Sequence, residues 1–521
     1  METERLEIPD ISKPILLFLV AIFALALLRS AWVTEDAYIT LRTVDNFVNG
    51  YGLTWNPSER VQTFTHPLWL FLITFLYFFT REGFYTILFL CLTVSIATFG
   101  VVAFYVKNHN LATLAILIIL IFSKAFIDYS TSGLENPLTH LLIAIFLLII
   151  INRSNEELES DRTALWLGLI SGLATLDRMD VILFFIPALL YIVLKSSRKA
   201  GTIKSILIGY IPFLLWEIFA VIYYGFPFPN TAYAKLNNGI PEGELIKQGF
   251  LYILNSLNWD PITFMAILAA TFITLWKRSW KEISIVAGML LYIAYVVWIG
   301  GDYMSGRFFS AALLVSVILL MRDFQGFGSV EGILVLAFVF ALGFASPTPT
   351  LISVSDQTFS TGRTDLNQIH DERSFYFQAS GLLFSQRNAP PPYHDWAFRG
   401  MILQANGRKF VVLDNVGFAG YFAGPTVHIV DRLAIADPFL ARLKPIQDPN
   451  WMAGHFEREI PEGYVETLKS GQDRMADTNL GQYYQKLSSI ISGNIWNWDR
   501  FVTIWKMNTG QYDYLLKTYQ P

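Results

Sequence analysis

The chain has 521 residues, of which 53% are hydrophobic and only 15% charged, and its mean hydropathy is +0.42. That balance, carried on long apolar runs, sets aside a water-soluble globular protein and indicates a polytopic membrane protein. A net charge of −4 without a basic tract gives no footing for nucleic acid, and the single cysteine, Cys91, excludes an intramolecular disulfide framework or a cysteine metal cluster.

The first apolar run, Ile15–Leu28 within an expected span of about 14–33, follows a start that is not clearly basic, is closed by Arg29 and precedes no convincing A-x-A site. It reads as a retained first helix rather than a signal peptide. Further spans are expected near 84–106, 111–127, 137–151, 163–177, 181–194, 203–224, 261–276, 282–299, 307–321 and 330–346. The apolar segment Pro67–Thr80 is short, and runs of about 10–14 residues are more often re-entrant or interfacial. Two basic loops fix the orientation. Lys195, Arg198, Lys199 and Lys204 cluster in one, and Lys277, Arg278 and Lys281 in the other. The positive-inside rule puts both in the cytoplasm, which gives eleven spans with the N-terminus inside and the C-terminus outside. An even count with the N-terminus outside is the alternative.

In this topology the unusual loops share the outer face. The first, 33–83, opens on Thr34-Glu35-Asp36, and Ala37, Leu41, Val44 and Val48 follow at helical spacing up to a stop at Gly50. That pattern predicts a short amphipathic helix lying in the membrane interface. The carboxylate pair at its start has a plain reading as first-turn acids that suit the helix dipole. It has a second as a reactive pair placed where a lipid-borne phosphate meets a water-borne substrate. The other outer loops hold Thr131–Glu135, Asp177–Asp180, Phe226–Lys235 and Gly300–Arg307. Glu135, Asp177, Arg178, Asp180, Asp302 and Arg307 thus lie at helix ends, where ionisable groups pair with one another or line a cavity. Arg307 after a Gly-Gly-Asp turn is suited to a phosphate, and Lys235 sits in a Pro-rich loop. His66 lacks the paired spacing of a metal site, whereas Glu35 and Asp36 could hold Mg or Mn against phosphate oxygens.

From Ser346 the character changes. Pro347-Thr348-Pro349 marks a linker, and 347–521 reads as a soluble α/β domain outside the membrane, after a transmembrane domain of 1–346. Lys409–Leu413 and Val427–Val430 read as strands, Gly417–Gly424 as a turn-rich link and Pro438–Leu443 as a short helix. Asp414, Asp431 and Asp437 are expected to cap turns. No P-loop, G-x-S-x-G or G-x-G-x-x-G occurs in suitable context.

The run Glu35-Asp36-Ala37-Tyr38-Ile39 … Arg42, then Asn49-Gly50-Tyr51-Gly52-Leu53 … Asn56-Pro57 … Glu59-Arg60-Val61-Gln62 … Thr65-His66-Pro67-Leu68-Trp69 resembles the first outer loop of the mycobacterial terminal arabinofuranosyltransferases, members of the GT-C superfamily. Ser132–Glu135, Pro227–Lys235, Gly300–Asp302 with Gly306–Phe308, Asp414 … Gly420-Tyr421 and Asp437 … Arg442 are similar too. The resemblance implies a GT-C-like fold of about eleven transmembrane helices with interfacial or re-entrant helices in the first outer loop, in a bacterial plasma membrane. It implies a glycosyltransferase that moves a sugar, arabinofuranose among the candidates, from a polyprenyl-phosphate donor to an envelope polysaccharide or glycolipid acceptor. The family's acidic pair falls on Glu35 and Asp36, with Glu at the first position where Asp is frequent, so Asp36 is the leading catalytic carboxylate. Arg307, Arg178, Lys235, Asp302, Glu135, His66, Arg42 and Tyr38 are the expected donor and substrate ligands. Asp36 as a base presumes inversion at the anomeric carbon; retention would require a nucleophile or cation stabiliser. The rivals are a flippase for a lipid-linked sugar, disfavoured by the lack of an inverted repeat, and a non-catalytic assembly factor on the same scaffold.

Overall fold

The computed structural model describes residues 13–105, 109–353, 367–384 and 387–521. Its described residues are overwhelmingly helical. The N-terminal part runs α1 (Lys13–Ser30), α2 (Glu35–Val48), α3 (Pro67–Thr80), α4 (Phe84–Tyr105), α5 (Leu111–Phe122), α6 (Lys124–Tyr129), α7 (Asn136–Asn152), α8 (Asn155–Leu158) and α9 (Asp161–Asp177). It continues through α10 (Ile182–Lys195), α11 (Lys199–Gly209), α12 (Ile211–Tyr223), α13 (Asn230–Leu236), α14 (Glu242–Trp259), α15 (Pro261–Lys277), α16 (Trp280–Trp298), α17 (Phe309–Asp323) and α18 (Ser329–Ala345). A helix lies at each expected span. Among the described residues α1, α4 and α16 are each long and apolar enough to cross a bilayer alone. The bent pairs α11–α12 (53°) and α14–α15 (110°) raise that number to five if each is one span, and α3, α5, α7 and α18 are shorter apolar helices. These features make a multi-pass membrane protein. The amphipathic α14 was not foreseen.

Close helix contacts use small residues, as helices in lipid do. A Cβ on Gly168 of α9 would come within 2.6 Å of the Ile206 carbonyl oxygen, and one on Gly209 of α11 within 2.4 Å of the Leu169 nitrogen. Any larger side chain at either position would push α9 and α11 apart.

The C-terminal part holds α19 (Glu372–Ser380), α20 (Asp395–Ala405), β1 (Phe410–Leu413), α21 (Gly417–Ala423), β2 (His428–Asp431), α22 (Tyr464–Ser470), α23 (Thr478–Ile491) and α24 (Trp498–Asn508). The two expected strands pair in parallel, Phe410 opposite His428 through Leu413 opposite Asp431. Gly417–Gly424 is not a turn-rich link: it forms α21, whose first amides find an acceptor described below. Pro438–Leu443 shrinks to a 3-10 turn at Leu440–Arg442. Asp431 accepts from the amides of Leu433 and Ala436, and Asp437 from those of Phe439 and Leu440, so both cap turns. Asp414 instead lies 3.6 Å from Arg432.

This part does not stand apart from the helices. Its second core, around Leu440, Leu487 and Ile490, takes in Phe226 and Ala234 from the chain before α14, while Tyr376, Phe377 and Phe418 join the core of the helical body. A buried ion network adds to the joint. Lys124 lies 2.5 Å from Asp128 and 3.0 Å from Asp371, and Arg373 lies 2.6 Å from Asp128. The expected interfacial helix α2 is consequently buried on almost every side, because α3 and α21 cover the face that was expected to lie in lipid.

Candidate functional site

The first carboxylate pair parts at once, since neighbours on a helix point about 100° apart. Asp36, partly exposed, accepts a hydrogen bond from the Tyr303 hydroxyl at 3.1 Å. Glu35 turns the other way and accepts from the amides of Gly417 (2.5 Å) and Phe418 (3.1 Å), filling the N-terminus of α21. Burial, followed by the charge of Asp36, pushes the Glu35 carboxyl up to about 8, against the pull of those two amides.

Three loops bring the opposite wall to Asp36. Ser132 accepts from the Thr34 amide (2.8 Å) and Gly133 from the Trp69 indole (3.0 Å), which pins Thr131–Glu135 beside the start of α2. Glu135 sits at the N-cap of α7 but makes no capping bond, so its fully buried carboxylate faces inward. One oxygen accepts from Arg178 at 2.6 Å and from Arg307 at 3.0 Å, and the other lies 3.3 Å from His66 Nδ1. Burial alone would raise this carboxyl. Arg307 and Arg178 overcome it and hold Glu135 ionised, well below the usual carboxylate range. Burial, opposed by Glu135, lowers His66 to about 4 and leaves the imidazole neutral, with Nε2 2.8 Å from the Thr40 hydroxyl.

The two guanidiniums differ. Each Arg178 nitrogen is engaged: two bonds run to Asp180 at 2.7 and 2.9 Å and one to Glu135, with the guanidinium over the Phe308 ring. Arg307 keeps capacity. Its Nε is buried without a hydrogen-bond partner among the described residues, and its other terminal nitrogen stands 3.6 Å from both Asp302 and the Met304 sulfur. Lys235 is half-buried, and its ammonium makes no ion pair among the described residues, although it acts electrostatically on Asp302 and His455.

Two members of the cluster come from the C-terminal part and carried no signal in the sequence. His370 exchanges backbone hydrogen bonds with the Tyr303 carbonyl (2.7 Å) and the Ser305 amide (2.9 Å), which sets Glu372 within electrostatic reach of Asp36 and Asp302. Burial, reinforced by Asp36 and Asp302, raises the Glu372 carboxyl well above its ordinary value, and one of its oxygens has no hydrogen-bond partner. The His455 ring meets Tyr303 edge-on at 4.2 Å, with Nδ1 also unpartnered. Tyr303 was overlooked although it follows the Gly-Gly-Asp turn. Unpartnered atoms on Arg307, Asp302, Glu372 and His455 thus surround Asp36. Buried polar atoms left alone cost about 1–3 kcal/mol each, so such a concentration suits a polar ligand.

Arg42 and Tyr38 are not part of this cluster. Arg42 donates to the carbonyls of Trp55 (2.8 Å), Gly420 (2.5 Å) and Val427 (2.8 Å), and Tyr38 packs against Phe418, Tyr421 and Phe422. Among the described residues no group of three or more His, Cys, Asp or Glu is placed to hold a metal ion, and the divergence of Glu35 from Asp36 keeps them from chelating one together.

The helical body thus gathers the buried Glu135 carboxylate, the Arg178 and Arg307 guanidiniums and the Asp36–Tyr303 pair, with Glu372 and His455 of the C-terminal part beside them. No protein-family model matches the chain. It is 22% identical over 519 residues to the terminal beta-(1->2)-arabinofuranosyltransferase of Mycobacterium tuberculosis, an alignment spanning 83% of this chain and 82% of that protein. It is 26% identical over 414 residues to the Corynebacterium glutamicum protein of the same name, covering 70% of this chain and 57% of that one. The chain is thus similar to two terminal beta-(1->2)-arabinofuranosyltransferases over most of its length, and the likeness supports a glycosyltransferase.

Proposed function

We propose that the protein transfers a sugar, with arabinofuranose the first candidate, from a polyprenyl-phosphate donor to an envelope glycan on the outer face of a bacterial plasma membrane. In this reading eleven segments cross the bilayer and the N-terminus is cytoplasmic. The observation that carries it is the pairing of opposites: Asp36 held by Tyr303, and across from it Arg307 with unspent donors anchored on Glu135.

Arg307 and Lys235 take the donor phosphate, and Arg178 and Glu135 fix the position of Arg307. The anomeric C–O bond breaks toward the phosphate, which leaves on the lipid with its charge stabilised by these preorganised cations. The acceptor hydroxyl bonds to the anomeric carbon, and its proton passes to Asp36, a contribution of roughly 10²–10⁴-fold. If product and donor share a configuration, Asp36 instead faces the oxocarbenium-like carbon. Glu35 and Arg42 serve by holding α21 and β2 over α2.

The test uses purified full-length protein with radiolabelled polyprenyl-phosphate sugars and an envelope glycan, comparing the wild type with Asp36→Asn. Transfer by the wild type that vanishes in a folded Asp36→Asn variant is expected, and NMR of the product gives its anomeric configuration. Equal transfer by both removes Asp36 from the reaction. Lipid-linked sugar that crosses vesicles without transfer makes the protein a transporter.

A further inference from the structure

Helix α24 has two apolar faces. Arg500, Ile504 and Met507 are buried at one, where the helix joins the core around Leu487 and Ile490. Trp498, Val502 and Trp505 recur at the same i, i+4, i+7 spacing on the other, and Trp496 precedes them. These tryptophans are 76%, 68% and 75% exposed for Trp498, Trp505 and Trp496 respectively. Single exposed apolar side chains need no explanation, but three exposed tryptophans within ten residues form a surface that water does not favour.

The position of the helix says what meets that surface. Arg500 donates to the carbonyls of Ile222 (2.7 Å) and Tyr223 (3.0 Å), and Asn508 to that of Gly225 (2.8 Å). These carbonyls close the C-terminal end of α12, half of an apolar bent pair whose Leu214, Leu215 and Ile218 are themselves exposed. Helix α24 is thus anchored by its buried face at the C-terminal end of α12, where that apolar helix stops, and its tryptophan face is left uncovered among the described residues. Indole rings, apolar in body and with one N–H donor, favour the headgroup layer at that level.

We infer that α24 is a monotopic interfacial helix that sets Trp496, Trp498 and Trp505 into the lipid headgroup layer and holds the C-terminal part, with His455 and Glu372, against the bilayer. This rests on the multi-pass reading and not on the reaction.

The full chain carrying Cys91→Ala, with Val502→Cys or Gln472→Cys added, is spin-labelled and placed in nanodiscs of phosphatidylethanolamine and phosphatidylglycerol. Gln472 lies in the exposed polar run Gln472-Asp473-Arg474 and serves as the water reference. The ratio of collision with oxygen to collision with a nickel chelate is expected to be several-fold higher at the Val502 label than at the Gln472 label. Equal ratios would place α24 in water and overturn the inference. Shielding of the Val502 label from both reagents would overturn it too, since a protein partner would then cover the face.

Discussion

Glu135→Gln separates arginines that bind a ligand from arginines that only pack. The carboxylate holds Arg178 and Arg307 on one oxygen at 2.6 and 3.0 Å, so a neutral amide leaves two buried guanidiniums short of a counter-charge. Breaking a buried pair in this way typically costs about 3–5 kcal/mol of stability. The effect on the donor runs in the opposite direction. A phosphate on the free side of Arg307 would lie about 7 Å from the Glu135 charge, where repulsion at an effective dielectric near 20 is about 2 kcal/mol, or roughly 30-fold in affinity. Glu135→Gln is therefore expected to unfold at lower temperature, to bind a short-chain polyprenyl phosphate more tightly, and to turn over more slowly because Arg307 is less well placed. Equilibrium binding in detergent at several salt concentrations, with thermal unfolding at each, measures all of this. Unchanged phosphate binding by a folded variant would show that Arg307 and Arg178 serve packing alone.

Tyr303→Phe removes the hydrogen bond to Asp36, a charged bond worth about 1.5–3 kcal/mol, and is expected to lower turnover about tenfold or more while donor KM stays near the wild-type value. Initial rates over a range of donor concentrations separate the two parameters. Glu35→Gln tests the cap of α21 through pH. Because the folded carboxyl titrates at about 8 rather than 4.5, the folded state holds the extra proton between these values, and stability falls as pH rises through that window. The loss amounts to as much as ~5 kcal/mol at ~1.4 kcal/mol per unit. The Gln variant lacks this fall, so melting curves from pH 5 to 9 are expected to show a shallower slope than the wild type; parallel curves would show that burial does not raise the Glu35 carboxyl. Gly417→Ala places a Cβ 2.1 Å from the Glu35 carbonyl oxygen and is expected to destabilise by more than the 1–3 kcal/mol typical of overpacking. Gly326→Ala, which meets nothing within 4 Å, is the control in the same melting assay.

The sequence alone carried the membrane character, because a bilayer demands long uninterrupted apolar runs that no tertiary contact can disguise. It also carried the positions of the apolar helices and of the two strands, since both rest on local pattern, but not the parallel pairing of those strands. The polar loops around Asp36, Glu135, Arg178, Asp302 and Arg307 were legible as a set for the same reason: charges beside apolar spans are costly and stand out. What remained hidden was the pairing. Adjacent Glu35 and Asp36 look equivalent in the chain, yet one reaches α21 and the other Tyr303, because a helix turns them apart and the C-terminal part covers one side. Gly417–Gly424 read as a turn-rich link because glycine is a poor helix former, and tertiary partners, Glu35 on its first amides and Arg42 on the Gly420 carbonyl, help hold α21. Glu372 and His455 reach Asp36 from more than three hundred residues away through the backbone bridge at His370 and the packing on Tyr303. Contacts at that separation depend on how whole elements pack, and no local periodicity records them.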